Sequence, residues 1–152
     1  MHRIPVHQIM HTPAIAIDPD ALAADAAGLM DEHHIRRIPV VDGDGFLVGI
    51  VSDSDVLEAE TAGSLRSVYE PGAEEEWLGV ADIMTREVIT IGPDAKVGEL
   101  VTAMLRHKIG GMPVVEAEGE NSKRLRVIGM VTESDIFAMI AAAWEKEKAD
   151  TL

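Results

Sequence analysis

The chain repeats itself, so whatever it folds into must be buildable twice from related sequence. Laying Val6 onward over Val80 onward, at an offset of 74 residues, matches Ile9-Met10 with Ile83-Met84 and Ile15-Ala16-Ile17 with Ile89-Thr90-Ile91. Pro19-Asp20-Ala21 then falls on Pro93-Asp94-Ala95, Met30 on Met104, His33 on His107, Ile35 on Ile109 and Pro39-Val40-Val41 on Pro113-Val114-Val115. From position 9 to 42, 13 of 34 positions are identical, where composition alone gives roughly one in fifteen. The second copy then carries six extra residues within Glu116 to Arg126, after which Gly49-Ile50-Val51-Ser52-Asp53-Ser54-Asp55 meets Gly129-Met130-Val131-Thr132-Glu133-Ser134-Asp135. Two copies of this length are too few and too long for a solenoid. They predict two similar units facing each other about a pseudo-twofold axis.

Each copy reads as strand, helix, strand, strand, helix, an α/β (α+β) pattern. The first strand is Ile15 to Ile17 or Val88 to Ile91, closed by Pro-Asp with Asp20 or Asp94 as the expected N-cap. Val97, Leu100, Val101, Met104 and Leu105 follow the spacing of a helix with one buried face, and Leu22, Ala26, Leu29, Met30 and His33 do so more weakly. Arg37 to Val41 and Phe46 to Val51 predict a hairpin turning at Asp42-Gly43-Asp44-Gly45, where Asp-Gly supplies the positive φ of a tight turn. The last helix is expected from Ser54 or Ser134, with Ile136, Phe137, Met139, Ile140, Ala143 and Trp144 on one apolar face. This gives a first repeat at 1–60, an acidic linker at 61–79, a second repeat at 80–144 and a charged tail at 145–152. Seven acidic residues against one Arg between Glu58 and Asp82 make the linker a solvated one.

Composition narrows the function classes. Lys+Arg 13 against Asp+Glu 27 gives a formal charge of -14, which repels duplex nucleic acid and anionic membrane. Zero cysteine excludes disulfide scaffolds, zinc-finger clusters and thiol nucleophiles. The opening residues lack a continuous apolar signal core, and the apolar run Ile136 to Trp144 is half of a bilayer span. A cytoplasmic protein is expected. No nucleophile elbow, P-loop or Ser/His/Asp spacing is present, so no catalytic residue is assigned and no enzyme is expected.

Chemistry concentrates where strand runs into helix, at Ser52-x-x-Asp55 and Thr132-x-x-Asp135. One reading is a capping box, in which hydroxyl and carboxylate satisfy orphan N–H groups of the first helical turn. The other is a nucleotide site, with the hydroxyl and helix N-terminus on a phosphate and the Asp accepting from ribose hydroxyls.

With the Ile-Met opening, the Ile/Met-Pro-Val-Val segments (Ile38 to Val41, Met112 to Val115) and the two Gly-x-x-Ser/Thr-x-x-Asp segments, the chain resembles the CBS-domain family, whose tandem pairs form Bateman modules. The resemblance implies a three-stranded sheet with two helices per repeat, repeats packed sheet to sheet, and two clefts between them holding adenine nucleotides or adenosyl ligands. Asp55 and Asp135 are then the ribose acids, and Ser52 and Thr132 the phosphate-side hydroxyls. Ile35, Arg36, Arg37 and Ile38, with Ile109, Gly110, Gly111 and Met112, would wall the adenine and offer backbone hydrogen bonds. Thr85 matches a ligand-reaching position at which His11 stands in the first copy. Arg36-Arg37, opposite Gly110-Gly111, predicts two unequal sites, since the guanidinium suits phosphate.

The remaining residues carry less. His7 and His11 are spaced i, i+4 but have no Cys or Glu triad, so no metal site is assigned. His33 and His107 are expected to cap helix ends. Lys123, Arg124 and Arg126 are read as a loop patch for solubility or a partner. The expected function is a regulatory module sensing AMP, ADP, ATP or S-adenosylmethionine, with magnesium where the ligand is ATP, and signalling to an unknown effector protein. The alternative is a ligand-free dimerisation or scaffold module. A homodimer is implied by the resemblance, approached through Ala138, Met139, Ala141, Ala142 and Ala143.

Overall fold

A hairpin between two helices forms twice in the chain. The computed structural model describes residues 1–69, 78–120 and 123–151, with the side chains of 62–69 set aside. In the first repeat α1 (Ala23–His33), β1 (Arg37–Val41), β2 (Leu47–Ser52) and α2 (Asp53–Tyr69) follow one another. The short helix α3 (Val80–Ile83) opens the second repeat, followed by α4 (Val97–His107), β3 (Gly111–Ala117), β4 (Leu125–Thr132) and α5 (Glu133–Thr151). A 3-10 turn at Val6–Gln8 stands where α3 stands in the second copy. Helix α2 continues through the first half of the expected linker, whose Pro71-Gly72 and Glu74-Glu75-Glu76 lie outside the described residues.

The two hairpins are antiparallel with the same register break, between Val40 and Val41 and between Val114 and Val115. The expected first strands shrink to a single parallel rung each, Ile17 beside Val40 and Ile91 beside Val114. Ile17 N–H donates to Pro39 O at 3.1 Å and Val41 N–H to Ile17 O at 2.9 Å, and Ile91 repeats both bonds with Pro113 and Val115. At the first turn Asp42 Oδ1 accepts from Asp44 N–H and Phe46 N–H, and Gly45 takes the positive φ of 87°. The extra residues of the second copy lengthen its strands as well as its loop. Arg126, expected in that loop, lies in β4 opposite Glu116, an opposite-charge cross-strand pair.

Packing does not follow the linear repeat boundaries of 1–60 and 80–144. The chain divides into Ile15–Val88 on one side and Met1–Ala14 with Ile89–Leu152 on the other. Val80, Ile83 and Met84 belong to the core formed by Ile17, Ala26, Met30, Ile38, Val40, Val51 and Val56. Val6, Ile9 and Met10 belong to that of Leu100, Met104, Met112, Val114, Val131 and Ile136. Each repeat's opening segment is thus exchanged into the other repeat's core, with the same bonds: Val80 N–H to Ala21 O and Val6 N–H to Ala95 O, both 2.8 Å.

The exchange accounts for a correction at the helix starts. Asp20 and Asp94 are not N-caps; α1 and α4 begin three residues later, after Leu22 and Lys96. Ala23 N–H donates to Leu78 O and Val97 N–H to Ile4 O, so carbonyls of the exchanged segments satisfy donors that a capping side chain would otherwise take. At the other ends His33 and His107 are the last helical residues, and closure comes from the backbone. His34 and Lys108 adopt φ 55°, and Ile35 N–H and Ile109 N–H reach back to Met30 O and Met104 O. The buried faces are narrower than the periodicity suggests. Leu105 is 75% exposed, and on α5 Ile136 and Met139 pack inward while Phe137, Ile140 and Trp144 face out.

Candidate functional site

Both Ser/Thr-x-x-Asp segments sit at a strand-to-helix junction, because the last strand residue doubles as the helix N-cap. Ser52 ends β2 and Asp55 lies in the first turn of α2; Thr132 ends β4 and Asp135 lies in the first turn of α5. Ser52 N–H donates to Asp55 Oδ2 at 2.8 Å and Asp55 N–H donates to Ser52 Oγ at 3.2 Å, a reciprocal capping box. In the second copy Thr132 N–H donates to Asp135 Oδ2 at 2.8 Å, with the Thr132 hydroxyl 3.4 Å from the same oxygen.

The start of each hairpin is tied to the same junction. Asp53 N–H donates to Arg36 O at 2.8 Å and Glu133 N–H to Gly110 O at 3.0 Å. Arg36 and Gly110 are therefore equivalent in backbone role, and only the first carries a cation there. Arg36 is exposed, Arg37 half-buried and engaged in an interaction of its own. Ile35 and Ile109 are half-buried. Ile38 and Met112 are fully buried in their respective cores, so their side chains are occupied by packing and only their strand backbone faces a partner.

The opening segments cross the hairpins beside these junctions. Thr85 pairs with Ile50 (N–H to Ile50 O 2.8 Å, O from Ile50 N–H 2.9 Å), and His11 pairs with Met130 (2.8 and 3.0 Å). The close crossing needs a glycine in the adjacent strand residue. A Cβ on Gly49 would sit 2.5 Å from Met84 Sδ, and one on Gly129 would sit 2.8 Å from His11 O and 2.9 Å from Met10 Sδ. This gives the Gly of the repeated Gly-x-x-Ser/Thr-x-x-Asp segment a physical role that its sequence position alone does not disclose.

Sequence reasoning brought Asp55 with Ser52 and Asp135 with Thr132, and among the described residues the structure adds a third partner to the second pair. His11 Nδ1 lies 2.5 Å from Asp135 Oδ1. Asp135 is buried at 5% exposure, whereas Asp55 is half-buried. No signal in the sequence near His11 could have named a partner 124 positions away. Among the described residues no three His, Cys, Asp or Glu side chains converge as a metal site would need. Among them, too, no helix is long and apolar enough to cross a membrane.

Comparison with known proteins places these features. The CBS domain model matches residues 6–62 and 80–142. A CBS domain-containing protein of Dictyostelium discoideum is 32% identical over 94% of this chain and 95% of its own length. The inosine-5'-monophosphate dehydrogenase of Korarchaeum cryptofilum is 37% identical over 81% of this chain, which spans only 21% of that enzyme. Among solved structures, the CBS domain pair of protein MJ0100, in complex with 5'-methylthioadenosine and S-adenosyl-L-methionine, is 28% identical with a TM-score of 0.71, covering 92% of this chain and 98% of that one. Two matched segments, two hairpin-and-helix units and two Ser/Thr-x-x-Asp junctions together make this chain a member of the CBS domain family, with a tandem pair of CBS domains.

Proposed function

We propose that the chain is a regulatory module that binds an adenosine-type ligand, AMP, ADP, ATP or S-adenosylmethionine, at its strand-to-helix junctions and passes its occupancy to a partner protein. The observation that carries this is the likeness, over nearly the whole chain, to a CBS pair in complex with 5'-methylthioadenosine and S-adenosyl-L-methionine. The Ser52–Asp55 junction suits the role. Asp55 Oδ2 is committed to the helix cap, leaving the half-buried carboxylate's other oxygen to accept from a ribose diol. The Ser52 hydroxyl and helix start lie on the phosphate side, and Arg36, whose carbonyl accepts from Asp53 N–H, brings a cation to that junction. Ile35 and Ile109 offer apolar surface to an adenine, and the backbone at Ile38, Gly111 and Met112 offers polar groups. Thr85 stands beside Ile50 at the same junction as Asp55. Magnesium would accompany ATP. The module binds its ligand and does not turn it over, and it works in the cytoplasm.

The same reading includes a homodimer. Phe137, Ile140 and Trp144 stand out from α5 at 61%, 46% and 60% exposure, one turn apart on a single stripe. Of the face expected from sequence, Ala138, Ala141 and Ala142 are exposed beside this stripe, while Met139 packs inward.

A ligand-free scaffold is the second reading, and one observation favours it: the reciprocal Ser52–Asp55 bonds already explain that motif as a cap. Melting with each candidate ligand separates the two. A ligand at 100 times its dissociation constant adds about 2.7 kcal/mol, and each kcal/mol moves the melting temperature of a chain this size by roughly 2 to 4 °C. A rise of about 5 °C or more with at least one compound is expected. No rise across AMP, ADP, ATP, 5'-methylthioadenosine and S-adenosylmethionine, with and without magnesium, would leave the scaffold.

A further inference from the structure

The two junctions are equivalent in backbone and unequal in what covers their carboxylates. Thr85 pairs with Ile50, five residues before Asp55, and His11 pairs with Met130, five residues before Asp135. The same place on the hairpin therefore carries a threonine in one unit and an imidazole in the other. The imidazole reaches further, and its Nδ1–H donates to Asp135 Oδ1 at 2.5 Å. Asp135 Oδ2 already accepts from Thr132 N–H, so both oxygens of this carboxylate are engaged within the protein.

The burial is one-sided: the Asp135 side chain is 3% exposed and the His11 side chain 72%. A buried carboxylate does not give up a hydrogen bond without a replacement, because leaving it unpaired incurs its full desolvation cost. An exposed ring, held at the side-chain level by one bond, can swing into water once another donor takes its place. A vicinal diol supplies such donors.

We propose that His11 is a specificity-determining residue that holds the Asp135 carboxylate closed against a ligand diol, so that the Asp55 junction fills first and the Asp135 junction only when a ligand displaces the imidazole. This rests on the reading of the junctions as adenosyl-ligand sites. It predicts ordered occupancy from one chain, with the second event requiring a higher ligand concentration. A graded sensor follows from a single side-chain difference between the copies.

The test is calorimetry with AMP and with 5'-methylthioadenosine on the full chain and three variants. His11→Thr places in this unit the residue that the other unit already accommodates, and it leaves the backbone bonds to Met130 in place. It should tighten the weaker, Asp135-dependent event by about 10- to 100-fold, and adding Asp135→Ala should abolish that gain. The reciprocal Thr85→His should weaken the Asp55-dependent event by a similar factor, which keeps the idea testable should His11→Thr fold poorly. Unchanged affinity at the Asp135 junction in His11→Thr, with the Asp55-dependent event intact, overturns the closure alone. Weaker binding there overturns it too, by making His11 a ligand contact. A folded wild-type chain that binds neither of these compounds, nor ADP, ATP or S-adenosylmethionine, overturns the ligand reading beneath it, before any His11 variant is compared.

Discussion

At the scale of single residues, the repeated glycine, hydroxyl and aspartate have separable tasks. Gly129 lets the opening segment cross β4 at a distance that no side chain permits, since a Cβ would meet a backbone oxygen, His11 O, at 2.8 Å. Gly129→Ala should therefore cost about 1 to 3 kcal/mol, the range for overpacking a site that cannot relax. Gly49→Ala should cost less, because its nearest obstacle is the flexible end of Met84. Gly28, in α1 with nothing within 4 Å of its added Cβ, should gain up to about 1 kcal/mol as alanine. Thermal denaturation of the three variants checks the order. The motif's residues were legible from repetition alone. The His11–Asp135 pair was not, because nothing local to either residue distinguishes a side chain that crosses to a distant helix from one that is merely exposed.

At the scale of elements, the hairpin strands and the start of each repeat's last helix follow from alternation and the Ser/Thr-x-x-Asp segments and stand within a residue or two of where the sequence puts them, whereas α2 runs on to Tyr69 in the expected linker and α5 to Thr151 through the expected charged tail. That each opening segment packs with the other repeat's core is hidden from the sequence for a reason built into duplication. Val6 and Val80 are matched residues with matched surroundings, so sequence cannot tell which core each enters. The exchange then explains why Asp20 and Asp94 fail as caps, since carbonyls from the incoming segment fill the position first. It also makes a sharp prediction. Val6→Ala removes two buried methyl groups, costing about 2 kcal/mol at roughly 0.8 kcal/mol per carbon with a cavity contribution. Hydrogen exchange should quicken in β3 and β4 and stay near wild type in β1 and β2; Val80→Ala should do the reverse. Exchange that quickens in β1 and β2 for Val6→Ala would contradict the assignment of the segment.

For the molecule as a whole, the proposed homodimer would use the exposed stripe of Phe137, Ile140 and Trp144. Light scattering should give about twice the 16.4 kDa chain mass, falling to the single-chain mass on Phe137→Glu or Trp144→Glu; a wild type at the single-chain mass across micromolar concentrations contradicts the dimer. The central claim is that the repeated junctions hold an adenosyl ligand, and calorimetry on the wild type and Asp55→Ala tests it most directly. One of AMP, ADP, ATP, 5'-methylthioadenosine or S-adenosylmethionine should bind the wild type. Asp55→Ala should lose a charge-assisted hydrogen bond of roughly 1.5 to 3 kcal/mol, or about 10- to 150-fold in affinity at its junction. Binding by Asp55→Ala equal to that of the wild type, or no binding of any of the five by the folded wild type, would contradict the account and leave Ser52 and Asp55 as a helix cap.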